Sequence, residues 1–253
     1  MTGELVAAWR GAQLAEVAWV TPAGTPRAAV VVPLLDEGLP ALALPYAELD
    51  LATSLAEADR VTFSVAVPAV AGGASPVAAA ARIAVTEDPR GEAFTGSPLL
   101  EQVLAKHPPS RRRLDSLLLR REHAWYVPRV LVRTTEIGPS FDLGVGEALG
   151  VAVSSDGGPW VALAHDVAVA DGTARLAVDD GPATVLAHGA DVPDLDQPWH
   201  RRWTGTVRDL RFRADERDEV APARRRASLR DRVRTERALE RACRAGLRQA
   251  GHR

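Results

Sequence analysis

The densest group of chemistry-bearing side chains is Pro198-Trp199-His200-Arg201-Arg202-Trp203, with two indoles, an imidazole and two guanidinium groups inside six residues. Indole faces stack on planar rings, and a guanidinium fork grips a carboxylate or phosphate through paired hydrogen bonds. The hexad therefore reads either as a planar-anion site or as tryptophans closing a barrel end beside solvated arginines. His165-Asp166 ends an expected strand. An imidazole there is a metal or haem ligand, an acid–base group working near neutral pH, or a structural histidine. His107, His123, His188 and His252 are scattered, and no His-x-x-x-His, Cys-x-x-Cys or Glu-x-x-His spacing occurs, which argues against a dedicated zinc site. The chain has no Gly-x-Ser-x-Gly elbow and no Gly-x-x-x-x-Gly-Lys loop, the marks of a serine hydrolase and of a P-loop enzyme. Cys243, the single cysteine, sits in an Arg-rich helical pattern with no His and Asp nearby; it reads as a partly buried small residue and fits a reducing compartment. Lys106 is the only lysine, so lysine-based mechanisms are excluded almost everywhere.

These groups must be positioned by a mainly β chain. At 253 residues, 46% hydrophobic and 25% charged, it can build one large or two small cores. Glu16–Val20 and Arg27–Leu35 flank Thr-Pro-Ala-Gly-Thr-Pro, a hairpin signal, and Asp36-Glu37-Gly38 marks a second turn before the strand Ala41–Leu44. Asp50–Ala58 reads as a short helix capped by Asp50. In Arg60–Val67 the period is two, with Val61, Phe63, Val65 and Val67 on one face. Ala69–Ser75 is a Gly-rich loop and Val77–Val85 a further strand. Pro98–His107 and Ser110–Glu122 read as helices parted by Pro108-Pro109, followed by strands at Ala124–Val127 and Val130–Thr135.

The chain also carries a pattern twice. Val17–Val30 and Val151–Ala162 both read strand, Gly-containing turn, Pro, strand. Ala52-Thr53-Ser54-Leu55-Ala56 is echoed by Ala183-Thr184-Val185-Leu186-Ala187. Gly157 lies 133 positions after Gly24, and Ala183 lies 131 after Ala52. A near-constant offset marks an internal repeat, and a groove between two similar halves is a natural place for a ligand. The second copy is shorter: the polar, Pro-rich stretch Ala190–Pro198 stands where the long strand Arg60–Val67 would recur, and Arg202–Arg213 resumes as a strand.

Strand, Pro-Ala-Gly-Thr-Pro-Arg turn, a strand ending in Pro33, turn, strand, short helix, and then Arg60-Val61 opening a long strand together resemble the flavin-binding split-barrel superfamily, the pyridoxamine 5'-phosphate oxidase-like proteins. Ala81-Arg82-Ile83-Ala84-Val85 before Glu87-Asp88-Pro89 is similar to that family's next strand and exit turn. The resemblance implies an α+β, mainly β fold of tandem split-barrel-like repeats: a split-barrel domain at 1–137, a linker at 138–149, a shorter repeat at 150–213 and a basic C-terminal helix at 214–253. It implies an FMN-binding or deazaflavin-dependent oxidoreductase, with hydride transfer at a flavin held in a cleft between barrels. The cofactor contacts it suggests are Arg27, Thr53, Ser54, Arg60 and Arg82, backbone at Val30–Pro33 including Val31 and Pro33, and Trp199, His200 and Arg202 from the second copy. The alternative is a non-enzymatic, degenerate barrel that binds haem, through His165, or another planar ligand, or serves as a scaffold. One departure stands out. The family's basic residue at the short helix is Leu51 here, and Pro182 in the second copy, while Glu48 and Asp50 would repel a phosphate.

Charge is uneven. From Ala221 onward eleven arginines face three acids, a net +8 that leaves −10 for the rest. Arg111-Arg112-Arg113, Arg120-Arg121 and Arg224-Arg225-Arg226 could engage phosphates, but an acidic body without a recognition fold favours a basic helix lying on the barrel or a solvated face over nucleic acid. No apolar run of eighteen residues occurs, and Met1-Thr2-Gly3-Glu4-Leu5 does not open a secretory signal, so a cytoplasmic protein is expected, pairing internally or as a further homodimer.

Overall fold

The computed structural model describes residues 3–67, 75–168, 171–190, 195, 199–220 and 229–252. Most of the Gly-rich loop at 69–75, most of the Pro-rich stretch at 190–198, and Arg224–Arg226 lie outside the described residues.

The fold is α+β. Helix α1 (Gly3–Gly11) precedes β1 (Ala15–Val20), β2 (Pro26–Val31), β3 (Leu34–Asp36) and β4 (Leu39–Pro45). Then come α2 (Leu49–Ala56), β5 (Val61–Val65) and β6 (Val77–Asp88). A helical insert of α3 (Glu92–Thr95), α4 (Pro98–Lys106), α5 (Pro108–Leu114) and α6 (Leu117–Glu122) leads to β7 (Arg129–Ile137) and the two-residue β8 (Phe141–Asp142). The second unit is all strand: β9 (Ala148–Val153), β10 (Pro159–Ala168), β11 (Thr173–Arg175), β12 (Gly181–Gly189), β13 (Trp199–Arg208) and β14 (Arg211–Val220). Helix α7 (Leu229–Gln249) follows, and no described helix is long and apolar enough to cross a membrane.

The two units share one connectivity. The first sheet runs β2-β1-β5-β6-β7-β4-β3, with β8 on β6, and the second closes as β10-β11-β14-β13-β12-β9. One strand, β10, stands where the first unit has β2 and β3. The first sheet stays open between those two strands because Pro33 has no N–H to offer a ladder. Helix α4 covers the split. Lys106 Nζ donates to the carbonyls of Trp9 and Pro33, each at 2.8 Å, and Gln102 bonds both the N–H and the C=O of Leu35. The only lysine is thus a structural plug, and burial, helped by Arg10, pulls its ammonium down to about 8.

The offset of 133 holds along the whole of β1 and β9, but the second sequence match does not. Ala52–Ala56 lies in α2 and Ala183–Ala187 in β12. The counterpart of β12 is β5, because Thr62 pairs with Ala18 and Thr184 with Val151, 133 positions on. The equivalent of Arg60–Val67 is therefore present, and what the second unit lacks is α2. Five residues hold no period long enough to separate strand from helix.

Three further elements differ from expectation. Ala124–Tyr126 is a 3-10 turn rather than a strand, and Ser110–Glu122 is two helices, Ser116 capping the second by accepting from Leu119 N–H. Arg202–Arg213 is a hairpin rather than one strand. Its turn residues Asp209 and Leu210 both have left-handed φ, 49° and 63°, the twist a two-residue hairpin loop requires. Glycine or asparagine usually supplies that geometry. Here Asp180 accepts from Asp209 N–H and the Leu210 carbonyl accepts from Leu176 N–H, and these bonds hold the turn.

Helix α7 returns to the first unit. Leu239 and Cys243 enter one core with Leu34, Phe94 and Leu99, Leu247 and Ala250 enter another, and Arg113 bonds Glu236. Contact is made by the apolar stripe, and most of the helix's arginines are exposed. Cys243 is fully buried, more so than its sequence setting suggested. Gly246 lies flat on the chain: a Cβ there would sit 2.0 Å from the Tyr46 carbonyl oxygen. Gly246→Ala must lift the helix, so a thiol reagent that reaches Cys243 slowly in the native protein should react roughly tenfold faster or more in the variant. Unchanged protection would show that docking does not depend on this close approach.

Candidate ligand-binding cleft

Period-two alternation gives every central strand two buried faces. Val17, Trp19, Val61, Phe63 and Val65 point into the first barrel's core, and Ala152, Ala183 and Val185 into the second's. The opposite faces meet each other: Ala18, Ala28, Leu149, Val151, Val161, Leu163 and Leu186 form one cluster between the units. The packing is isologous in the sense of a symmetric dimer. Thr62 Oγ1 donates to the Pro159 carbonyl at 3.3 Å, and its counterpart Thr184 Oγ1 donates to the Pro26 carbonyl at 2.8 Å, Pro26 and Pro159 being themselves 133 apart.

At one place the symmetry breaks. Buried Glu16 accepts from Ser64 Oγ and Ala66 N–H at 2.9 Å each and from His188 Nε2 at 2.6 Å. The symmetry-related residues are Leu149, Leu186 and Ala66, so the same contact on the other side of the axis is apolar. His188 Nδ1 has no partner among the described residues.

Away from the axis the outer faces diverge and leave a cleft of about 720 Å³. Its apolar wall is Trp160 from β10, Phe141 from β8, Leu210 from the β13–β14 turn, and Val178. Three of these are exposed large hydrophobics: Trp160 at 53%, Phe141 at 38% and Leu210 at 54%. Its polar side is Arg60, Thr62, Ser154, Ser155, Asp156 and Asp179. A second depression of about 290 Å³ continues past Arg60 and Asp156 to Glu57 and Asp59.

Arg60 Nη1 bonds Asp156 Oδ2 across the two units, and its Nε lies 3.7 Å from Asp59. Ser154 Oγ, then Gly158 N–H, then Arg60 hold the Asp156 carboxyl down at about 2, so the pair stays ionic throughout the neutral range. The cleft thus combines an apolar wall with a charge pair already satisfied.

The residues singled out in the sequence divide into separate groups. Arg60 lines the cleft, and Arg82 stands beside it, bonded to Asp59 at 2.9 Å and 3.7 Å from Glu136. Ser54 accepts from Trp19 Nε1–H at 2.8 Å, Thr53 is exposed on α2, and Leu51 packs against the first core. The Val31 side chain is buried in that core, and the Pro33 carbonyl is held by Lys106. Arg27 is the counterpart of Trp160 on the other side of the axis, beside Trp19. Trp199, His200 and Arg202 open β13: Arg201 lies over the Trp199 ring, Asp218 takes Arg202 at 2.5 Å, and Arg202 reaches the Ala28 carbonyl at 3.5 Å. Burial lowers the His200 imidazole. His165 is exposed on β10, next to left-handed Asp166. Of all these, only Arg60 lines the cleft.

Trp160, Phe141, Leu210, Asp156 and Asp179 were not singled out in the sequence. A usable signal was present for Asp156-Gly157-Gly158-Pro159-Trp160: the repeat aligns its turn with the first hairpin, and a tryptophan just past a turn sits at a barrel rim. Phe141 lay in a segment read as a link, and Leu210 in one read as mid-strand.

No family model and no curated protein matches the sequence. Among solved structures, the conserved hypothetical protein Rv2991 from Mycobacterium tuberculosis is similar to the chain at 15% identity and a TM-score of 0.37, covering 56% of this chain and 84% of that one. A heme binding protein from Mycobacterium smegmatis is similar at 13% identity and a TM-score of 0.35, covering 98% of each. Likenesses this slight carry no statement about ligand or activity.

Removing one partner of a buried ionisable pair leaves the other uncompensated. Glu16→Leu should therefore cost roughly 3–5 kcal/mol in urea unfolding. The double change Glu16→Leu with His188→Ala copies the chain's own Leu149 and Ala66 solution and should recover most of that loss. A Glu16→Leu protein as stable as the wild type would contradict the role assigned to the cluster.

Proposed function

We propose that the chain is a cofactor-binding protein of the split-barrel type that holds a planar ring in the cleft between its two units, with a flavin-class ring the best fit. The observation that carries this reading is the convergence of Trp160, Phe141 and Leu210 on one cleft. Large apolar side chains are left in water at a cost, and their gathering around a concave surface is the usual mark of a ligand site.

The fit to particular cofactors can be tested against the lining. An isoalloxazine ring matches the apolar wall, and the exposed Ser155 supplies a hydrogen-bonding group at its edge. A haem needs an axial ligand, and no His, Cys, Met or Tyr lines the cleft among the described residues; His165 lies elsewhere. A bound flavin supplies hydride transfer at its own ring. The chain's part is to bind and orient that ring and keep water from its buried face.

Titration with riboflavin, followed by flavin fluorescence, tests the reading. The wild type should quench and saturate, and Trp160→Ala should bind about five- to tenfold more weakly, as loss of one stacking partner implies. Failure of the wild type to bind, or an unaltered affinity in Trp160→Ala, would remove the cleft as the site. A Soret band on haemin titration that is lost in His165→Ala would favour a haem protein instead.

A further inference from the structure

We infer that the cleft selects planar ligands bearing no phosphate or other fixed negative charge; this rests on the reading of the cleft as a ring-binding site. Among the described residues, the cleft and the depression that continues it contain one cation, Arg60, and four carboxylates, Glu57, Asp59, Asp156 and Asp179. The guanidinium is already committed, bonded to Asp156 and close to Asp59. An incoming phosphate must either displace Asp156, which Ser154 and the Gly158 N–H also hold in place, or sit unpaired among carboxylates. Either course is unfavourable for a dianion, which needs free donors and uncommitted positive charge.

The place at which the split-barrel resemblance would hold a phosphate is also closed. The start of α2 carries Glu48 and Asp50, its Leu51 packs into the core, and its Ser54 hydroxyl is engaged by Trp19. Arg82, bonded to Asp59, is shared between that acid and Glu136. The cleft thus pairs an apolar wall with a surplus of carboxylates around its one committed cation. A neutral tail, or a cationic one, meets no such penalty.

The experiment compares lumiflavin, riboflavin and FMN on the full chain at low salt. These share one ring and differ in the tail, uncharged in the first two and a phosphate monoester in the third. Lumiflavin and riboflavin should bind comparably and FMN about tenfold or more weakly, with the gap narrowing in 1 M NaCl as the carboxylates are screened. Asp179→Asn, an exposed change that leaves the Arg60–Asp156 pair intact, should improve FMN by a larger factor than riboflavin. Asp156→Asn should improve FMN further by freeing Arg60. FMN binding as tightly as riboflavin, or more tightly, would overturn the charge selection while leaving the ring site standing. Failure of all three to bind would remove the ring site and the selection with it.

Discussion

The structure depends on one constraint: the central strands of both units bury both of their faces. The inner faces close two cores, and the outer faces are apolar enough that they must cover each other. Of the buried polar side chains, Glu16, Thr62, Ser64, Thr184 and His188 all lie on those outer faces, and they decide how the faces meet. The two threonines set the register symmetrically, each on the other unit's proline carbonyl. Glu16, Ser64 and His188 then make the contact directional, because the acid sits on the first unit and the imidazole on the second. Buried polar contacts of this kind add little net stability but penalise every arrangement that leaves one member unpaired.

The cleft follows from that packing. Two twisted sheets can touch over a limited area before they diverge, and where these diverge the rim residues of both units come into range of each other. Arg60 from the first unit meets Asp156 from the second, Phe141 arrives on the short strand after the first sheet, and Leu210 arrives on a turn whose backbone sits in the left-handed region. Residues from β5, β8, β10 and the β13–β14 turn, distant in sequence, are placed around one hollow. The pseudo-symmetric position on the other side of the axis has Arg27 and Pro182 in place of Trp160 and Arg60, so the two sides of the interface differ in chemistry although they share a backbone plan.

Much of the fold was legible because period two is a strong signal. The alternation of Val61, Phe63 and Val65, the Gly-Pro hairpin turn and the 133-residue offset are all present in the fold. The match of Ala52–Ala56 to Ala183–Ala187 misled because a stretch of five small and apolar residues fits helix and strand alike, and tertiary pairing to β9 settled the second as strand. The β13–β14 hairpin was invisible because its turn is Asp-Leu, without the glycine that usually announces positive φ. The cleft was the least legible part. Its wall is built from single residues at strand ends and turns, positions with no periodicity, and Arg60 was found only because it opens a recognisable strand. The hexad from Pro198 to Trp203 drew attention for its density of functional groups, but along a strand adjacent side chains point to opposite faces, so density in sequence is not convergence in space.

The most direct measurement is a crystal structure of the protein grown with lumiflavin. The ring should appear between the units with its face on Trp160, its edge toward Ser155, and the Arg60–Asp156 bridge unbroken. Density for the ring at the Trp199–Arg202 strand or against α2, or a bridge opened to admit it, would contradict the assignment of this cleft and of its charge pair.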